Sequence, residues 1–176
     1  MEPRGELPPP IYHHIGPLQS SGARQIPGLF HYVHGAGSPS AIQSLAKSAL
    51  RHADQNPNAH PDHRPLRYLI QVNLTEETSK AGGMTEAQLR NMDSFLENDA
   101  LRFEGFMTMG PTDQDPARTR EVFQRLRALR DELRPGGELS MGMSGDWELA
   151  VSEGATMIRL GTAVFGRRGA APWKPG

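Results

Sequence analysis

Between residues 66 and 74 the chain runs almost without interruption through apolar and β-forming side chains, Leu66-Arg67-Tyr68-Leu69-Ile70-Gln71-Val72-Asn73-Leu74. A run of this kind suits a strand covered on both faces, as in a parallel sheet lined by helices. Shorter runs of the same character occupy 11–16, 30–34, 101–109, 139–142 and 156–160. Between them the spacing of apolar positions becomes helical. Ser38 and Pro39 open a helix with Ile42, Leu45, Ala46, Ala49 and Leu50 on one face. Thr85-Glu86-Ala87-Gln88 has the form of a capping box ahead of Leu89, Met92 and Leu96. Asp115-Pro116 opens a long helix with Val122, Leu126, Leu129 and Leu133 inward, closed by Pro135-Gly136-Gly137. Ser144 is placed to cap a helix running through Glu153, with Asp146 in its first turn, where a negative charge suits the helix dipole, and Gly154 stops it. The connection 18–28 is polar, with room for one short helix. Six strands alternating with helical connections predict a parallel sheet with right-handed crossovers.

Composition narrows the picture without changing it. A chain of 176 residues, 36% hydrophobic and 22% charged, suits one soluble globular domain with a sizeable core. The Pro-rich lead 1–10 cannot enter a helix or a central strand and is expected to be a flexible tail, leaving a domain over 11–168 and a second tail over 169–176. The 19 basic and 20 acidic residues are scattered and nearly cancel, so no basic patch argues for nucleic acid or an anionic membrane. There is neither a signal-like apolar region nor a run approaching the ~20 apolar residues of a membrane span, and a cytoplasmic location is expected. The absence of cysteine excludes disulfides and thiolate chemistry.

Candidate chemistry concentrates near the C-terminus. Strand alternation over 156–160 sets Met157, Arg159 and Gly161 on one face and Ile158 and Leu160 on the other. A guanidinium in a core strand needs either an acidic neighbour or a ligand group that accepts from it. Two successive strand ends deliver Ser144 and Gly161-Thr162, small or hydroxylated residues with exposed backbone N–H groups, as a phosphate site requires. Each residue alone also fits a plainer role: Ser144 as a cap, Gly161 as a bulge, Arg159 as half of a buried ion pair. Met107, Met109, Met141 and Met143 at strand ends suit core filling near a pocket mouth. Other motifs fail on their details. Gly35-Ala36-Gly37 lacks the third glycine of a dinucleotide fingerprint, Ser40 standing in its place. Gly142-Met143-Ser144-Gly145-Asp146 has Asp146 where a nucleophile elbow needs glycine. His60 and His63 share a polar loop without a third ligand on regular structure.

Five segments, in order, carry a resemblance: Tyr12-His13-His14-Ile15-Gly16-Pro17-Leu18-Gln19-Ser20; Ile70-Gln71-Val72-Asn73 followed by Lys80 and Gly82; Gly105-Phe106-Met107-Thr108; Gly142-Met143-Ser144; and Arg159-Leu160-Gly161-Thr162. Together they resemble the pyridoxal phosphate homeostasis protein family across 11–168. The resemblance implies a (β/α)8 TIM-type barrel of PLP fold type III, like the N-terminal domain of alanine racemase. It further implies that Arg159 faces the cofactor's pyridine nitrogen, that Ser144, Gly161 and Thr162 bind its phosphate, and that Met143, His13 and Asn73 border it. About six of the eight β/α units are expected. The family's first two strands, with the lysine that forms the Schiff base, have no counterpart, since no lysine precedes Lys47. A shortened N-terminus is the expectation, with Lys80 the one lysine placed to approach the site. The implied role is non-enzymatic: buffering pyridoxal 5'-phosphate and delivering it to client enzymes. Alternatives are a racemase using the same site and an inert remnant or interaction module.

Overall fold

The structure is a computed structural model, and it describes residues 9–56, 65–75, 82–92 and 95–166. Six strands, β1 (His13–Pro17), β2 (Tyr32–Ala36), β3 (Leu66–Gln71), β4 (Leu101–Met107), β5 (Glu138–Met143) and β6 (Met157–Arg159), lie side by side in sequence order, all parallel. They form a curled sheet, an incomplete (β/α) barrel. The helices α1 (Pro39–Gln55), α2 (Glu86–Arg90), α3 (Pro116–Leu133) and α4 (Trp147–Ser152) fill the successive connections from β2 onward, and α5 (Thr162–Phe165) follows β6. A 3-10 turn over Gly22–Gln25 lies in the connection before β2.

Local sequence explains most of these boundaries. Ser38 Oγ accepts from Ala41 N at 3.2 Å with Pro39 in the first turn. Asp115 Oδ1 accepts from Arg118 N at 2.8 Å, again ahead of a proline. Thr85 and Gln88 form the reciprocal capping box of α2. That helix ends at Arg90, however, so Leu96 does not continue its inner face and is exposed. Leu50 of α1 is likewise exposed rather than part of the core. The helix after β5 differs too: Asp146, not Ser144, is its N-cap residue, and α4 starts at Trp147.

Strand alternation divides the sheet into two faces. Val33, Tyr68, Ile70, Leu139 and Met141 join Ile42, Leu45, Val122, Phe123, Leu126 and Ala150 in the apolar cluster under the helices. Tyr32, His34, Leu69 and Ser140, their alternates, are buried on the opposite, barrel-interior face. One irregularity interrupts the alternation: Phe103 pairs with Tyr68 but Gly105 with Leu69, so Glu104 is bulged out and both Phe103 and Phe106 reach the helix side. Gly105 has φ +153° and a side chain there would strike the Glu138 backbone, which restricts the position to glycine. Phe95 stacks on Phe103 at 4.2 Å and closes this part of the core.

Candidate cofactor site

Because all strands run parallel, their C-terminal ends and the loops after them share one rim, the face at which barrel active sites lie. Met143 ends β5 on this rim and Ser144 follows it, with Gly161 and Thr162 after β6 and Asn73 after β3. Ser144 and the later loop are joined directly: Gly161 N and Ala163 N each donate to Ser144 Oγ at 3.2 Å. The serine therefore serves a loop seventeen residues away instead of capping its own helix. Its hydroxyl accepts two hydrogen bonds and keeps its own proton available to an anion. Gly161, Thr162 and Ala163 are exposed, and the space where a Gly161 side chain would stand is open. Met143 is 47% exposed, so it borders the rim rather than filling the core, while its N donates to Asp146 Oδ1 at 2.6 Å. Asn73 Oδ1 accepts from Thr75 N and Thr75 Oγ1, both at 3.2 Å, a local turn that sets the start of its loop.

Arg159 is held by neutral acceptors rather than by an acidic neighbour. Its Nη1 donates to Ser140 O at 2.9 Å and Ser140 Oγ at 2.8 Å, and its Nη2 to Thr108 O at 2.9 Å. Among the described residues no carboxylate forms an ion pair with it. Burial lowers its pKa to about 10, against a smaller upward pull from Asp146, so it remains a cation at neutral pH. A half-buried positive charge held by neutral acceptors is electrostatically incomplete, and an anionic ligand would complete it.

His13 opens β1, at the end of that strand away from the rim. Its ring stacks on Tyr32 at 4.6 Å and its Nδ1 lies 2.8 Å from His34 Nε2. His34 Nδ1 in turn lies 2.8 Å from Ser140 Oγ, the atom that accepts from Arg159. Burial first, then the nearby His13 and Arg159, push the His34 pKa down to about 4. His34 and Ser140 were not among the candidates that sequence reading gives. The signal was present as two polar residues at buried, same-face positions of short strands, but strand alternation alone does not say which polar residue faces which. His60, His63 and Lys80 lie outside the described residues, as do the two expected tails except for residues 9 and 10. Lys47 is exposed on α1. Among the described residues no group of three or more His, Asp or Glu could hold a metal ion, and no helix is long and apolar enough to cross a membrane.

Residues 13–169 match the family model for the alanine racemase N-terminal domain. The chain belongs to this family, within its pyridoxal phosphate homeostasis group. It is 38% identical over 158 residues to the pyridoxal phosphate homeostasis protein of Pseudomonas aeruginosa, covering 89% of this chain and 64% of the relative. The Escherichia coli K12 protein of the same name is 35% identical over 165 residues, with 89% and 64% covered. The chain thus spans about two thirds of the length of these relatives. Among solved structures, PipY of Synechococcus elongatus matches with a TM-score of 0.71 without PLP and 0.70 with PLP bound, at 32% identity. The alignments cover 91% of this chain and 73% and 72% of PipY. Alanine racemase of Corynebacterium glutamicum, at 18% identity and a TM-score of 0.52, over 82% of this chain and 38% of its own, shares the fold.

The residues at this rim fit the cofactor that the family implies. The Ser144 and Gly161–Ala163 unit offers hydroxyl and backbone donors to a phosphate, and Arg159, two residues before Gly161, offers a cation that no carboxylate among the described residues pairs directly.

Proposed function

We propose that this chain binds pyridoxal 5'-phosphate to hold and release it inside the cell, and does not itself turn over a substrate. The observation that carries this reading is the strand register that sets Arg159 beside Met143, one residue from Ser144 and two from Gly161: a cation with no carboxylate ion pair among the described residues, close along the chain to clustered donors. In this reading the Ser144 and Thr162 hydroxyls and the Gly161 loop hold the phosphate, and the Arg159 guanidinium donates to the ring nitrogen. Met143 borders the ligand at the rim. Asn73 sets the loop after β3, and His13 acts at a distance through His34. Bound pyridoxal phosphate supplies an aldehyde for amine chemistry in the client enzymes to which it is delivered. A guanidinium still protonated at neutral pH cannot pass a proton to the ring nitrogen, which leaves the bound ring a weak acceptor of electrons. That favours a carrier over a broad transaminase.

The test is a pair of titrations by equilibrium dialysis. The double variant Ser144→Ala/Thr162→Ala is expected to bind pyridoxal phosphate at least about tenfold more weakly, the worth of one or two charge-assisted hydrogen bonds. Pyridoxal, which lacks the phosphate, should bind nearly as before. Equal weakening of both would remove the phosphate assignment.

A further inference from the structure

The cofactor reading gives no direct role to two of the most deeply buried polar side chains, His34 at 2% exposure and Ser140 at 0%. They form the middle of a hydrogen-bonded chain that runs across the barrel interior from β1 to β6: His13, His34, Ser140, Arg159. Its direction follows from what each group can do. A guanidinium only donates, so Ser140 Oγ accepts from Arg159 Nη1. Ser140 must then place its own proton, and its remaining neighbour is His34 Nδ1 at 2.8 Å. His34 accepts there, which puts its proton on Nε2, where it donates to His13 Nδ1 at 2.8 Å. The lowered pKa of His34 agrees with a ring that stays neutral and accepting.

Ser140 grips Nη1 twice, through its carbonyl and its hydroxyl, and Thr108 O takes one proton of Nη2. Of the five guanidinium N–H donors, Nε–H and one on Nη2 have no acceptor among the described residues. We propose that Ser140 and His34 are positioning residues, which fix the rotation of the Arg159 guanidinium so that its remaining donors are presented to the ligand's ring nitrogen in a single orientation. The chemistry of the partners matters to this role. A carboxylate in place of Ser140 would orient the guanidinium equally well but neutralise it, and would compete with an anionic ligand. A hydroxyl backed by a neutral imidazole orients the cation and leaves its charge intact. The inference rests on the cofactor reading given above for the identity of the ligand, but not for the orientation itself.

Two measurements on the full chain decide it. The first uses no ligand: nitrogen–proton NMR of the arginine side chains and of the His34 ring. In the parent protein the Arg159 Nη protons should be individually resolved and His34 should show the Nε2–H tautomer. In Ser140→Ala and in His34→Leu the Nη protons should merge through free rotation. In His34→Gln they should stay resolved, since the amide can accept from Ser140 and donate to His13. Resolved Nη protons in both Ser140→Ala and His34→Leu would overturn the proposal. The second compares pyridoxal phosphate with phenyl phosphate, which has no ring nitrogen. Ser140→Ala and His34→Leu should weaken the former about fivefold, roughly the worth of one hydrogen bond, and leave the latter unchanged, with His34→Gln within about twofold of the parent. Equal effects on both ligands, or none on pyridoxal phosphate, would overturn it. A parent protein that binds no pyridoxal phosphate would instead refute the cofactor reading, and the ligand-free spectra would still judge the orientation.

Discussion

His34 is the residue whose environment most constrains the protein's response to acid. Burial, followed by the fields of His13, Arg159 and His14, lowers its pKa from 6.5 to about 4. As pH falls below 6.5 the unfolded chain takes up a proton that the folded chain refuses until about 4. The stability associated with the neutral ring is therefore complete above 6.5 and is lost progressively across that window. His13 is lowered as well, mainly by burial and then by Arg67, and shifts stability in the same direction. Between pH 7.5 and pH 5 the folded state should lose about 2 kcal/mol on account of His34, since each unit of pKa separation is worth about 1.4 kcal/mol. Urea unfolding at the two pH values measures this. In His34→Gln the drop should shrink by that amount, and an unchanged drop would mean that the ring is not held neutral.

At the scale of elements, the helices that begin with a local cap are the ones the sequence specifies most directly. Asp115 accepts from Arg118 N at the start of α3, and Asp115→Ala should cost about 1 kcal/mol in chemical denaturation without moving the rest of the fold. Such caps are legible because donor and acceptor lie within three residues of each other. Ser144 shows where that logic stops. It stands where a cap could be, with acid residues following, yet its hydroxyl accepts from Gly161 N and Ala163 N, competitors that no local window contains. The capping box of α2 was equally legible, but not the helix's length. The helix ends at Arg90, and Phe95 stacks on Phe103, a partner that no local window contains. Arg159 was legible as a charge in need of a partner. That the partners would be Ser140 and Thr108 was not, because the bulge at Gly105 and the curl of the sheet decide which strand ends meet.

At the scale of the molecule, β1 and β6 each have one neighbour in the described sheet, and both margins carry exposed apolar side chains. Ile11, Tyr12 and Ile15 lie along one, and Ile158, Leu160, Val164 and Phe165, the last 85% exposed, along the other. Unpaired strand edges of this composition associate with further chains. Sedimentation velocity across a wide concentration range is expected to show larger species as concentration rises, and Phe165→Glu should reduce them; a single concentration-independent species would contradict this. The order of the sheet has another consequence, which starts from Arg159. β6 contributes only three residues to the ladder, and the side chain of Arg159 reaches past β5 to Thr108, so its position is set by two neighbouring strands at once. The loop proposed to hold phosphate begins two residues later, at most about 7 Å of chain away. If ligand is held as proposed, the site acts as a ruler with one end anchored in the barrel wall and the other at Gly161. In the proposed cofactor site, an analogue of pyridoxal phosphate whose phosphate arm is one methylene longer should therefore bind more weakly than pyridoxal phosphate itself, since it cannot meet both ends at once.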